Sequence, residues 1–324
     1  LLLKGVIDCP DLPLNVSRSA LQNDGFVQKI SEYIAKKVAD KLTGMCKTDR
    51  EAYEKYWDDI SPFIKFGCIK DSKFADKLHD YILFKDLDNK YLTLKDCIEA
   101  NKKEEAEHTE EETQENAEEN KDEKEPEKTT VFYVTDPVQQ SQYINMFKEA
   151  GKNAVILSHN IDTAFISHLE QRDQTLQFKR IDADLTEELK GGDAADDDTA
   201  KTLTELFRKN LNKEKLEVKV ESLKNEAVSA MMMLSEESRR MQDMMKMYNM
   251  YGMDPGMFGG QETLVLNINH PLVKFLAENQ ESEHAAVICE QLYDLAMISH
   301  KQLSPDEMTK FVQRSNDILM LLTK

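Results

Sequence analysis

The sequence predicts a multi-domain α+β chain. A helical region comes first, then a small three-layer α/β/α module with a short parallel sheet, and last a mostly helical α+β domain. Three observations carry this. Phe26, Val27, Ile30, Ile34, Val38 and Leu42 recur at three- and four-residue steps, the period of one helix face. From Val131 to Asp182, strand-like runs alternate with helical ones, as crossover units do. The chain then ends in two strongly apolar helical patterns. The boundaries read as 1–100 for the helical region, 101–130 for an acidic insert, 131–190 for the α/β module and 191–324 for the last domain.

Each element has a local reason. The apolar run Leu1 to Ile7 leads into DLPLNVSRSALQ, Asp11 to Gln22, where Pro13 and Asn15 break regular structure and Ser17 suits a helix N-cap. Helices follow at Glu51 to Phe66, around Trp57 as a core anchor, and at Ser72 to Phe84. From Asn101 to Lys128 the composition is Glu, Lys, Asn and Thr with no apolar periodicity, which reads as a flexible acidic insert. VFYVTD reads as a strand, Val138 to Ala150 as a helix closed by Gly151, NAVILSH as a strand, Ile161 to Leu169 as a helix and LQFKRID as a third strand. No GxGxxG follows the first strand, so no dinucleotide cradle is expected there. KGGDAADDDTA, Lys190 to Ala200, has the composition of a linker. Beyond it lie a helix to Leu211, a strand-like run Leu216 to Leu223, a methionine-rich region Met231 to Met257, a strand Thr263 to Ile268 and a short helix from Pro271.

The final helix opens on Ser304-Pro305-Asp306-Glu307, a capping box with Pro in the first turn. Its Phe311, Ile318, Leu319 and Leu322, with Ile288, Leu292 and Leu295 of the helix before, are more apolar surface than one small domain hides. They predict packing against a second copy, a homodimer.

Bulk properties narrow the function. A chain of 324 residues with net charge −19 does not suit nucleic acid or an anionic membrane, which need a basic face. Cys9, Cys46, Cys68, Cys97 and Cys289 stand singly, with no CxxC pair, so neither a disulfide framework nor a zinc site is expected. No apolar run approaches the ~20 residues of a membrane span. A soluble cytoplasmic protein is expected, and Leu1, inside an apolar run, reads as an excerpt of a longer one.

No serine elbow, phosphate loop or metal cluster stands out, and Asp193 and Asp196 to Asp198 read as solvated linker charge. Two places remain. Arg18 sits at the mouth of a helix, where free N–H groups and the dipole favour anions, so it is either an ion-paired surface residue or a phosphate contact. Met241, Met244, Met245 and Tyr248 fall at i, i+3, i+4 and i+7 opposite a charged face, so they form either core or an adaptable binding stripe.

GVIDCPDLPLNVSRSALQ (Gly5 to Gln22) resembles the middle-domain signature of the heat-shock protein 90 chaperones, in their bacterial form. The resemblance continues in AYEKYWDDISPFIKFG, KYLTLKDCIEA, VFYVTD, NIDTAFISHLEQ and ETLVLNINHPLVKFL. It covers the chain apart from the acidic insert, and Ser19 stands where many members are acidic. It implies an ATP-driven stress-response clamp that closes on partly folded clients. Arg18 would then reach the terminal phosphate of ATP, bound with magnesium in a separate domain, with Gln22 supporting it and Asn15 shaping the loop. This piece alone would neither bind nor hydrolyse ATP. The methionine stripe would contact clients, joined by Phe165, although Thr163 and Ala164 replace the family's acidic and aromatic residues beside it. A C-terminal homodimer is implied, and bacterial co-chaperones as further partners. No acidic pentapeptide follows Leu322-Thr323-Lys324, as suits the bacterial form. The rival from another class is a non-enzymatic dimeric scaffold. A mismatch-repair type of ATPase clamp would need a basic nucleic-acid face, which the charge denies.

Overall fold

The computed structural model describes residues 25–99, 128–183, 189–192, 195–235, 240, 262–321 and 323. The chain divides into two compact units, Leu1–Leu83 with Thr93–Lys95, and Phe84–Leu92 with Asp96–Lys324.

In the first unit, α1 (Gly25–Thr48), α2 (Arg50–Lys70) and α3 (Ser72–Leu78) follow one another with acidic caps at the turns. Asp49 accepts from the Ala52 N–H at 3.2 Å, and Asp71 accepts from the Lys73 and Phe74 N–H groups. Trp57 is 3% exposed and packs beside Tyr53, ring centroids 5.4 Å apart, which bears out its reading as an anchor. The buried Tyr53 hydroxyl donates to the Tyr81 carbonyl at 2.9 Å. The helix expected from Ser72 to Phe84 ends at Leu78. A single 3-10 turn, His79–Tyr81, then gives way to β1 (Leu83–Asp86). Ile82, Leu83 and Phe84 are all buried, and a continuous apolar run of this length fits a buried strand as well as a helix.

The second unit holds a five-stranded sheet of order β2-β1-β4-β3-β5, with β2 Tyr91–Thr93, β3 Thr129–Val134, β4 Val155–Ile156 and β5 Leu176–Arg180. β4 and β5 pair with β3 in parallel, as expected, but β1 joins β4 antiparallel, so the sheet is mixed. The turn between β1 and β2 is set by Asp86. Its carboxylate accepts from the Asp88 and Lys90 N–H groups while Asn89 takes φ 63°. The helices α4 (Ser141–Glu149) and α5 (Ile161–Arg172) are the two crossovers. Right-handed connections to opposite sides of β3 put them on opposite faces, giving the three layers. Phe132 of β3 meets Phe147 of α4 edge-on at 5.1 Å, while Phe178 of β5, paired with Val131, faces Phe84 on the other side.

A second sheet, β6-β8-β7, joins β6 (Glu217–Glu221) parallel and β7 (Ala230–Met233) antiparallel to β8 (Thr263–Asn267). With it come α6 (Asp197–Leu211), α7 (Pro271–Glu278), α8 (Ala285–His300) and α9 (Pro305–Leu321). One face of this sheet, through Met232, Leu264 and Leu266, packs on Leu203 and Phe207 of α6, Leu276 of α7 and Leu292 of α8. The other face, through Met231, Met233 and Val265, packs on Tyr143 and Phe147 of α4. The first three residues of the methionine-rich region are therefore a strand buried on both sides. The Tyr143 hydroxyl also donates to the Met232 carbonyl at 2.6 Å.

Lys190 and Gly191, read as linker, run against the strand end at Leu223, with the Gly191 N–H donating to Ser222 at 2.8 Å. A Cβ on Gly191 would stand 2.8 Å from the Leu223 backbone, so glycine is required by close approach.

Candidate functional site

Asn15, Arg18 and Gln22, and likewise Met241, Met244, Met245, Tyr248 and Leu322, lie outside the described residues. Phe165 does not belong to an exposed contact. It is 0% exposed, held in α5 with Ile166 and Leu169 inside the module, so a client cannot reach it.

The last two helices form the best-defined candidate surface. α9 starts where the sequence placed it. The Ser304 hydroxyl donates to Glu307 at 2.7 Å, the Ser304 N–H donates to the same carboxylate at 2.9 Å, and these bonds hold the Glu307 carboxyl below its ordinary range. α9 has no buried residue of its own. It is fixed to α8 by polar contacts. Arg314 donates to Gln291 at 2.9 Å and to Glu290 at 2.9 Å and pairs with Asp294, while Gln291 donates to Ser315 at 3.1 Å.

With Arg314 and Ser315 turned to α8, the apolar stripe of α9 is left partly open. Phe311 and Ile318 are half-buried, whereas Met308, Val312 and Leu319 are 41%, 49% and 58% exposed. Leu295 of α8, one turn on from Gln291, is also exposed, and Ile288 is half-buried against its own core. Leu292 departs from the expectation. It is 1% exposed within its own domain and has no surface left for a second copy.

Two ionic groupings escape the sequence reading. In one, Arg240 forks onto Glu170 of α5. In the other, Glu262 sits 3.7 Å from the His300 imidazole and 2.6 Å from the Lys301 ammonium, and its carboxyl is pulled down to about 2, chiefly by His300. Only the pairing of charges across long sequence separations shows them, and sequence spacing carries no such signal. The same is true of Asn267, fully buried, whose side-chain amide donates to Asn225 and Val228 and accepts from the Leu223 and Asn269 N–H groups. Among the described residues no group of His, Cys, Asp and Glu could hold a metal ion, and no helix is long and apolar enough to cross a membrane.

The mixed α/β architecture, with small mixed sheets among helices, is the fold class the sequence predicts. The family model described as Hsp90 protein matches residues 1–109 and 122–324. The chain belongs to the Hsp90 family. Residues 110–121, within the acidic insert, fall between the two matched stretches. The chaperone protein HtpG of Bacteroides fragilis (strain YCH46) is 35% identical over 299 residues, which is 89% of this chain and 41% of that protein. HtpG of Bacteroides thetaiotaomicron is 34% identical over 87% of this chain and 40% of its own length. For HtpG of Porphyromonas gingivalis (strain ATCC 33277) the identity is 33%, over 87% and 40%. The chain thus spans about two-fifths of the length of these Hsp90 relatives, which are named as chaperones.

Proposed function

We propose that this chain is the middle and C-terminal part of an ATP-dependent chaperone that acts on partly folded proteins in the cytoplasm. The observation that carries this is the family match along nearly all of the sequence, with the motif around Arg18 inside it. In this reading nucleotide with magnesium is held by a domain outside this chain. ATP would supply the free energy of clamp closure. From this chain Arg18 meets the terminal phosphate as a planar, permanently charged fork that stabilises charge on the transferring group. Gln22, one helical turn on, shares its face, and Asn15 shapes the loop. The methionine stripe Met241, Met244, Met245 and Tyr248 offers clients a polarizable surface that repacks cheaply. Leu295, Phe311, Ile318, Leu319 and Leu322, with Ile288, hold two copies together, and bacterial co-chaperones dock on the assembled dimer.

The test is Arg18→Ala in the full-length protein. ATP turnover should fall by about an order of magnitude or more, as expected for a lost transition-state contact. The dimer and the melting temperature should stay put. Unchanged turnover would remove the phosphate role and favour the rival reading, a dimeric scaffold without ATPase activity.

A further inference from the structure

We propose that Glu170 and Arg240 form a side-chain plug on the outer edge of β5, and that it keeps this edge from pairing with β5 of a second copy. Among the described residues β5 ends the five-stranded sheet, with β3 on one side of it. Its odd-numbered residues serve that ladder. The Thr129 N–H donates to the Thr175 carbonyl at 2.7 Å, and the Ile181 N–H donates to the Tyr133 carbonyl at 3.0 Å. Backbone groups alternate in direction along a strand, so the N–H and C=O of Phe178, at the centre of β5, point away from β3.

Outward groups of this kind are a template for a further strand. Here both are taken, and by side chains. The Phe178 N–H donates to Glu170 Oε1 at 2.7 Å, and one guanidinium nitrogen of Arg240 donates to the Phe178 carbonyl at 3.0 Å. The plug also holds itself together. That same nitrogen donates to Glu170 Oε1 at 2.9 Å, and another donates to Oε2 at 2.6 Å. The two side chains are only 23% and 19% exposed, and a forked pair of this kind fixes orientation as well as distance. An incoming strand must displace Glu170 and Arg240 together. The charges of β5 would not close the edge on their own. In a twofold antiparallel pair centred on Phe178, Gln177 would stand opposite Lys179 and Leu176 opposite Arg180, so no like charges meet directly. Such a pair would exchange the N–H and C=O of the two Phe178 residues, the same groups that the plug occupies. The contact is self-complementary, which makes a second copy of this chain the partner that fits.

The experiment combines Glu170→Ala with Arg240→Ala in the full chain and follows the Phe178 amide by hydrogen exchange at low and high protein concentration. In the parent the amide should exchange slowly, at the same rate in both. In the double variant it should exchange at least tenfold faster at low concentration. It should slow again at high concentration, where sedimentation shows species of twice the parent's mass. A peptide copying residues 174–182 should bind the double variant, restore the protection of Phe178 and suppress the larger species, yet not bind the parent. Arg240→Ala alone frees only the carbonyl, so it should bind the peptide more weakly, and it carries the test if the double variant fails to fold. Absence of peptide binding and of larger species in both variants would overturn the plug, as would equal binding to the parent. So would a Phe178 amide as slow in the double variant as in the parent at low concentration. Larger species that the peptide does not suppress would place the contact elsewhere and overturn it too.

Discussion

Asn267 is the residue on which the second sheet depends most. It sits at the end of β8 with no exposure and holds the chain at 223, 225, 228 and 269 through one amide. Both of its acceptor and both of its donor places are used, so no smaller side chain can replace it. Asn267→Ala leaves the Leu223 and Asn269 N–H groups and the Val228 carbonyl without this partner and should lower stability by roughly 2–4 kcal/mol. Asn267→Asp should fare no better, because a carboxylate would face the Asn225 and Val228 carbonyls. Denaturant unfolding measures both. Glu262 supplies a test in pH. Its folded carboxyl titrates near 2 against an ordinary 4.5, so the unfolded chain takes up a proton first as pH falls. The contribution is therefore complete above about pH 4.5 and lost as pH falls towards 2. At neutral pH Glu262→Gln should lower stability by roughly 1–3 kcal/mol. That gap from the parent should narrow between pH 4.5 and 2. A gap constant with pH would mean that His300 and Lys301 do not hold the carboxylate.

At the scale of elements, chain punctuation was readable wherever a local signal decided the outcome. The capping box at Ser304 and the alternation around β3, α4 and β4 came from short-range chemistry that tertiary packing does not reverse. The misreadings arose where two structures share one pattern. The run Ile82 to Phe84 is apolar enough for helix or strand, and the β1–β2 turn at Asp86 to Lys90 settles it. Met231 to Met233 looked continuous with the methionines beyond it, yet it is a strand covered on both faces by elements distant in sequence. Leu292 was placed on a surface because period alone shows which side is apolar and leaves open what covers it, and Phe165 because the resemblance carries a contact over to a residue that the module buries. Gly191 looked like linker flexibility and is a point of close approach. Gly191→Ala should therefore lower stability by about 1–3 kcal/mol, since the methyl group meets Leu223 backbone rather than a movable side chain. A neutral result in thermal melting would show that the strand end at Ser222 to Lys224 can shift. The insert offers the opposite case. Replacing residues 110–121, which lie outside the family match, with a shorter Gly/Ser link should leave melting almost unchanged. Halving a loop alters closure entropy by only about 0.6 kcal/mol.

For the whole molecule the deciding quantity is apolar surface on α9 that its own unit does not cover. Leu292 no longer counts, being used inside its core, and Phe311 and Ile318 are only half available. Met308, Val312, Leu319, Met320 and Leu321 still stand 41–60% exposed on one short helix. Fully burying one such side chain contributes roughly 1.5–3 kcal/mol, so half-burying several gives a few kcal/mol per helix. In a twofold assembly each copy presents the same patch, the gain is doubled, and the contact closes without forming a filament. Arg314 is what makes the patch usable, because its contacts to Glu290, Gln291 and Asp294 hold α9 against α8 at a fixed angle. Sedimentation should accordingly show a dimer at micromolar concentration. Val312→Glu with Leu319→Glu should give a folded monomer, since both side chains point outward and leave the core untouched. Arg314→Ala should weaken the dimer by tenfold or more while the stripe keeps its composition. That last variant separates composition from orientation. A dimer unaffected by Arg314→Ala but abolished by the double Glu change means that the stripe alone suffices. A dimer that survives the double Glu change means that the contact between copies lies elsewhere on the chain.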